Sequence, residues 1–204
     1  MPMKNELVLP PLPYESDGLC PAFSAASVEL HREIVQTHAD ALRILSDGMP
    51  PRLAKTPEAI LCCRHRIGRD DALLRWHAGA LYAHTLYFSS MKPYTGGYPC
   101  PGERLRRELM RDVGSYAELG YRLKEAAVGM LGAGFVYLVR IRAGTLAVRA
   151  YREYDTPIPY GEIPLLCVDL WEHAYLSDHG VSRERAVDAF LSVTDWGRAE
   201  ARAY

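Results

Sequence analysis

The sequence lacks any run of apolar residues as long as the roughly 18 that a membrane-spanning helix requires. It also lacks an excess of either charge, because 24 basic and 25 acidic residues leave a formal net charge of −1. This balance argues against a nucleic-acid or membrane partner. The first residues lack the apolar core of a secretory signal peptide. From these absences we expect a cytoplasmic protein.

Cysteine is scarce and follows no recognisable pattern. The five cysteines are an odd number, and no two of them have zinc-finger or C-x-x-C spacing. Cys62 and Cys63 are adjacent, so they cannot easily bridge each other. With 204 residues, 49% of them hydrophobic, the chain can form a core without disulfides. We expect reduced thiols in a globular protein of one domain, or of two small ones that share a core.

The first half of the sequence is typical of helices. Ser24 can cap a helix that begins at the next residue. A second helical region begins near Thr56, and a longer helix runs from about Asp70 to Ser90. Residues 94–102, rich in glycine and proline, are predicted to be a linker. Apolar faces with a helical period contain His31, Ile34, Val35, His38, Ala41, Leu42 and Leu45 in the first helix, and Leu74, His77, Leu81, His84 and Phe88 in the longer one.

The second half mixes helices and strands. The pattern predicts helices near residues 103–112 and 115–130, strands over 135–141, 145–151 and 165–168, and a final helical stretch over 171–203. We therefore predict an α+β fold. Residues 1–93 are expected to form an N-terminal helical hairpin domain, and residues 103–204 a C-terminal α+β domain with an antiparallel sheet of about three strands.

The seven histidines do not by themselves establish a metal site. The strongest local signal is Asp169 followed at i+4 by His173, at the point where a buried strand becomes a helix. A buried carboxylate must be paired or bind a metal, because an isolated buried charge is far too unfavourable. The residues leave two interpretations open. Asp169 and His173 could share a metal, or Asp169 could cap the helix and pair with His173.

Several segments carry a resemblance to a known family. Residues 169–173, Asp-Leu-Trp-Glu-His, resemble the D-x-W-E-H signature of iron/manganese superoxide dismutases. Residues 9–14, Leu-Pro-Pro-Leu-Pro-Tyr, are similar to that family's opening Leu-Pro-x-Leu-Pro-Tyr. His31, His84 and Trp196 stand where the family has its first ligand, its second ligand and a C-terminal tryptophan. The resemblance extends over nearly the whole chain.

The resemblance implies one Fe or Mn ion per subunit, held between the two predicted domains. Its implied ligands are His31, His84, Asp169 and His173. Three imidazoles and a carboxylate suit these metals, and without thiolates there is less to attract zinc or Cu(I). The implied substrate is superoxide, which the family converts to dioxygen and hydrogen peroxide. The implied assembly is a homodimer in which Glu172, next to Trp171, reaches His173 of the partner subunit and fixes its orientation.

Several residues that surround the ligands in this family are replaced. Ala39 and Val35 stand at the positions of a gateway tyrosine and a histidine, and Leu176 at that of a second tyrosine. The family places a glutamine at one of two positions, which here are Ala80 and Tyr154. Replacing both partners of a hydrogen bond with apolar groups can be nearly neutral, so Val35 and Leu176 look like a joint replacement.

The sequence does not decide which residues replace the family's tyrosines, histidine and glutamine. It also leaves more than one function open. The candidates are His38, His77 and Tyr154, among which Tyr154 could donate through its hydroxyl; each could equally be a packing residue. The chain could be a superoxide dismutase, a metal-binding protein of the same fold that acts as a buffer, sensor or scaffold, or an oxidoreductase of altered, peroxidase-like chemistry. Because neither of the two positions carries glutamine in this chain, the sequence does not distinguish Fe from Mn as the bound metal.

Overall fold

The computed structural model describes residues 7–50, 55–65, 67 and 69–204. Residues 1–6, 51–54, 66 and 68, all within the predicted N-terminal domain, lie outside the described residues. The helices of the first part are α1 (Ala25–Leu45), α2 (Pro57–Cys62), α3 (Asp71–Ser89), α4 (Glu103–Asp112) and α5 (Tyr116–Gly129). Strands β1 (Gly134–Arg140), β2 (Leu146–Arg152) and β3 (Ile163–Asp169) follow, and then α6 (Glu172–His179), α7 (Arg183–Ser192) and α8 (Trp196–Ala203). This order confirms the predicted α+β fold.

Helix α1 begins where the sequence predicts. The Ser24 side chain accepts a hydrogen bond from the Ser27 backbone N–H at 3.2 Å, which satisfies one of the free donors at the helix start. His31, Val35 and Leu42 of the predicted face are buried, but so is Ala39, which was not placed on it. The difference arises because α1 packs against both α3 and α6. Contact with two helices buries a broader face of α1 than the apolar periodicity of its sequence predicts.

Helix α3 is the most enclosed helix of the N-terminal region. From Ala78 to Phe88 most of its side chains are buried, and it packs against α1, α2 and β3. Gly79 lies in this stretch because the backbone of Tyr154 passes directly over it. Helix α3 thus connects the N-terminal helices α1 and α2 with strand β3 of the sheet. The division into domains at residues 93 and 103 stays a prediction.

The sheet has the order β2-β1-β3 with antiparallel pairing throughout, which confirms the predicted small antiparallel sheet. The turn between β1 and β2 contains Gly144, whose φ of 86° favours glycine. β1 is central and almost entirely buried. In the β1–β3 register Phe135 stands opposite Asp169, so the carboxylate lies at the end of the sheet where β3 gives way to α6.

The predicted helical stretch over residues 171–203 divides into α6, α7 and α8. Gly180, with a φ of 59°, ends α6. Ser182 and Asp195 then cap α7 and α8 through their side chains. A short 3₁₀ turn, Ile158–Tyr160, which the sequence did not predict, precedes β3. Within the described part of the chain no helix combines the length and the apolar character needed to cross a membrane.

Candidate metal centre

Four side chains from four elements converge at the junction of the helices and the sheet. His31 comes from α1, His84 from α3, Asp169 from the end of β3 and His173 from the first turn of α6. One ligand atom of each lies within 4.8 Å of the ligand atoms of all the others. His31, His84 and Asp169 are buried, and His173 is half-buried. The structure therefore brings together the residues that the resemblance implies as ligands.

The Asp169 Oδ2 atom is the centre of this cluster. His84 Nε2 lies 3.1 Å from it, His31 Nε2 3.2 Å and His173 Nε2 3.8 Å. His84 Nε2 and His173 Nε2 are 3.3 Å apart. Nitrogen and oxygen lone pairs thus face a common point, as the ligands of a single ion do.

Backbone groups fix the orientation of two of these side chains. The His84 Nδ1–H donates to the Ala80 carbonyl oxygen at 2.7 Å. Because a carbonyl can only accept, Nδ1 carries a proton, so Nε2 is the His84 nitrogen available to a metal ion at the cluster. The Trp171 backbone N–H donates to Asp169 Oδ1 at 2.8 Å, which leaves Oδ2 for the centre. Such outer contacts commonly orient metal ligands.

The cluster contains polar atoms that the protein leaves unsatisfied. Asp169 Oδ2 and His31 Nε2 are both buried, and although they lie 3.2 Å apart, neither atom makes a contact with hydrogen-bond geometry. A buried polar atom without a partner costs about 1–3 kcal/mol. Asp169 does not cap α6, whose N-cap residue is Trp171 and has no side-chain cap; its Oδ1 accepts from the Trp171 N–H just before the helix. The 3.8 Å between Oδ2 and His173 Nε2 is too long for a hydrogen bond. A cation at the common point would satisfy both orphaned atoms, so the residues fit a metal ion.

The protonation states also suit a metal. Burial lowers the pKa of His31 to about 4, although the nearby Asp169 opposes this shift. Burial likewise lowers the pKa of His173. Burial alone would raise the pKa of Asp169, but the imidazoles of His31 and His84 outweigh it and hold that pKa below its usual range. At neutral pH the cluster therefore presents a carboxylate and, in His31 and His173, imidazoles that need not release a proton to bind a cation.

Comparisons with known proteins agree with this geometry. Residues 101–202 match the family model for iron/manganese superoxide dismutases, C-terminal domain. The chain is 29% identical to a superoxide dismutase [Mn] of Listeria monocytogenes, over 95% of this chain and 96% of that protein. It is 31% identical to a superoxide dismutase [Fe] of Salmonella typhimurium and 30% identical to one of Escherichia coli, in both cases over 92% of this chain and 93% of the relative. The chain belongs to the iron/manganese superoxide dismutase family. Its similarity to relatives with either metal implies Fe or Mn and does not distinguish them.

Several positions around the cluster differ from what this superoxide dismutase family usually carries. Val35, Ala39 and Ala80 are buried and have apolar side chains, so none of these side chains can supply a polar group to the centre. Leu176 lies on the surface of α6 with 48% of its area exposed, and Glu172 is exposed at the start of the same helix. Leu176 is therefore open to a second subunit rather than part of the core.

The candidate substitutes lie next to one another. The Tyr154 hydroxyl is 3.2 Å from His38 Nε2, and His38 Nδ1 is 3.1 Å from His77 Nδ1. We refer to these three side chains as the Tyr154–His38–His77 chain. Tyr154 is buried, whereas His38 and His77 are half-buried. The Tyr154 ring packs 5.7 Å from that of His84, so the chain begins beside a member of the cluster.

Two aromatic side chains hold Tyr154. Trp171 stacks on its ring at 4.5 Å, and Trp76 meets it edge-on at 4.8 Å. Trp76 is not among the residues that the sequence predicts at the site. Its position on α3, about two helical turns before His84 and next to His77, is the signal that could have placed it near the site.

Proposed function

We propose that the chain is a superoxide dismutase with one Fe or Mn ion per subunit, held by His31, His84, Asp169 and His173. The observation that carries this proposal is the convergence of these side chains on a point where Asp169 Oδ2 and His31 Nε2 lack any hydrogen bond. When bound, the metal would supply a one-electron couple between its 2+ and 3+ states. In balance, two superoxide ions and two protons give one dioxygen and one hydrogen peroxide.

The protein's own residues define the site's charge and shape. Asp169 contributes one negative charge, which favours binding of a cation at this buried position. The Ala80 carbonyl holds the His84 ring, and the Trp171 N–H holds the carboxylate, so the two ligands are preorganised. Phe135 packs 5.2 Å from the His84 ring and limits water on the side of the sheet. Superoxide would reach such a site as a small anion.

A second candidate function is a metal-binding protein of the same fold with little dismutase activity, such as a buffer, sensor or scaffold. The observation that favours it is the apolar character of Val35, Ala39 and Ala80, because this family usually has polar groups at these positions. The ligand cluster is the same in both proposals, so only the reaction separates them.

A superoxide assay on the metal-loaded protein tests the choice. We expect protein purified from its native host, with its metal content measured on the same sample, to dismutate superoxide faster than an equal concentration of the free metal ion. Asp169→Asn should lose both the metal and the activity, whereas Asp188→Asn, at a surface ion pair with Lys124, should lose neither. A fully metal-loaded wild type that is no faster than the free ion would favour the buffer, sensor or scaffold.

We also propose that the protein acts as a homodimer and in the cytoplasm. His173 turns Nε2 towards the cluster, so its Nδ1 faces away from the centre. Glu172 and Leu176 are exposed on the same short helix. In a two-fold dimer each such contact occurs twice, and Glu172 of one subunit could accept a hydrogen bond from His173 of the partner subunit.

A further inference from the structure

The Tyr154–His38–His77 chain joins the buried side of the candidate metal centre to its surface. Tyr154 follows β2, His38 lies on α1 and His77 on α3. The ring of Tyr154 packs against His84, and at the other end His77 is only partly buried. Two helices and the loop after β2 thus place hydroxyl and imidazole groups in one continuous hydrogen-bonded line.

The distances require ordered protons. His38 Nδ1 and His77 Nδ1, 3.1 Å apart, can share a hydrogen bond only if one of them carries a proton. In one arrangement the Tyr154 hydroxyl donates to His38 Nε2, and the His38 Nδ1–H donates to His77 Nδ1. In the other, His77 donates to His38, His38 donates to the Tyr154 oxygen, and the hydroxyl proton is free for a group beside His84. Going from the second arrangement to the first shifts each proton by one position, as the hydroxyl proton leaves and a solvent proton enters at His77, and no side chain moves.

The protein holds Tyr154 firmly in this position. Glu153, just before it, has a φ of 53°, which is uncommon for a residue other than glycine. Such backbone conformations tend to be kept where the surrounding structure requires them, often at functional sites. Trp171 and Trp76 pack on two sides of the ring, and α3 has a glycine, Gly79, directly beneath the Tyr154 backbone. Hydrogen-bond contacts through His38 connect the Tyr154 hydroxyl, held in this way, to the partly exposed His77.

We propose that this chain is the path by which protons enter the site, with His77 receiving them from solvent and Tyr154 delivering them beside the metal centre. The inference rests on the proposed dismutase function, whose balance consumes two protons for each hydrogen peroxide formed. For each proton that leaves the Tyr154 hydroxyl, the His38 Nε2–H passes to the Tyr154 oxygen, the His77 Nδ1–H passes to His38 Nδ1, and solvent protonates His77 Nε2. The chain is then in the first arrangement, and a change of tautomer of both imidazoles with a turn of the hydroxyl restores the second before the next proton. His38 and His77 act through Tyr154 and are positioning residues.

Variants that remove one link test the path in the metal-loaded enzyme. Positioned acids are typically worth ~10²–10⁴-fold in rate, so Tyr154→Phe and His77→Ala should each lower dismutation at least roughly tenfold with unchanged metal content. The loss should grow as pH rises, because solvent protons become scarcer. Added imidazole should restore the His77→Ala enzyme but not Tyr154→Phe. The matched controls are Tyr151→Phe, at a partly buried contact with Glu162 away from the cluster, and His65→Ala, at an exposed position.

A second readout is independent of activity. In metal-free protein with ¹⁵N-labelled histidines, NMR should show one strongly downfield imidazole N–H proton shared by His38 and His77, lost in His77→Ala and shifted in Tyr154→Phe. Absence of this proton in the wild type would overturn the path. So would full activity of metal-loaded Tyr154→Phe across the pH range. A metal-loaded wild type without any dismutation would overturn the proposed function and the path with it, whereas an active wild type with unaffected variants overturns the path alone.

Discussion

At the scale of single residues, Gly79 shows how a small change could disturb the site from outside it. A Cβ at this position would overlap the Tyr154 carbonyl oxygen. Alanine usually stabilises a helix relative to glycine by about 1 kcal/mol, but overpacking against backbone typically costs about 1–3 kcal/mol. We expect Gly79→Ala to lower the free energy of unfolding and to disturb the hydrogen bond between Tyr154 and His38.

Gly120 on α5 provides the matched control. A Cβ there would lie 3.4 Å from a flexible Leu191 methyl group, so Gly120→Ala should be neutral or stabilising. Chemical denaturation of the two variants measures the difference. Equal stability of Gly79→Ala and wild type would show that the Tyr154 backbone yields easily, and would weaken the view that the fold holds this residue in place.

Individual site residues differ in how far the sequence could predict them. Asp169 and His173 could be picked out from one local run, because the strand end and the i+4 spacing place them together. His31 and His84 needed the family resemblance, since a histidine on an apolar helix face is not by itself a ligand. The contact between His38 and His77 depends on how α1 and α3 pack, and no local pattern encodes it.

At the scale of elements, Arg202 ties the last helix to the two elements that carry His84 and Asp169. From α8 its guanidinium donates to the Leu165 carbonyl oxygen in β3 at 2.7 Å. It also donates to the Ser89 carbonyl oxygen at the end of α3 at 3.0 Å. Arg202→Ala would leave these partly buried acceptors unpaired, so we expect a loss of roughly 2–4 kcal/mol in the free energy of unfolding.

Two further variants make this prediction specific. Arg202→Lys keeps the charge but cannot reproduce the fork of donors, so it should restore only part of the stability. Arg198→Ala, at an exposed pair with Asp195, should change stability by no more than about 1 kcal/mol. If Arg202→Ala melted like wild type, the guanidinium contacts would not be what holds α8 against α3 and β3.

The order and type of the elements could be predicted because their signals are local. Ser24 at the start of α1, the glycine- and proline-rich linker and the three strand patterns all lie within short windows. The breaks in the final stretch are local as well, since Gly180 and the caps Ser182 and Asp195 mark them. The breadth of the buried face of α1 was missed because it depends on α6, which is distant in sequence.

At the scale of the whole molecule, the proposed dimer predicts a concentration-independent mass of two chains. Leu176, exposed on α6, would lie close to the two-fold axis if Glu172 meets His173 of the partner subunit. Leu176→Arg should therefore weaken the dimer, whereas Val128→Arg, at an exposed position on α5, should not. Sedimentation velocity at micromolar concentration measures both, and a metal-loaded wild-type monomer would refute the dimer.

The metal content of the purified protein decides whether one ion is held by His31, His84, Asp169 and His173. We predict one Fe or Mn ion per chain in the wild type. In Asp169→Ala the remaining ligands lose their only anionic partner, so the metal should be absent and the melting temperature lower than that of the metal-loaded wild type. The surface variant Asp188→Ala should retain the full metal content. Undiminished metal in Asp169→Ala would contradict the account.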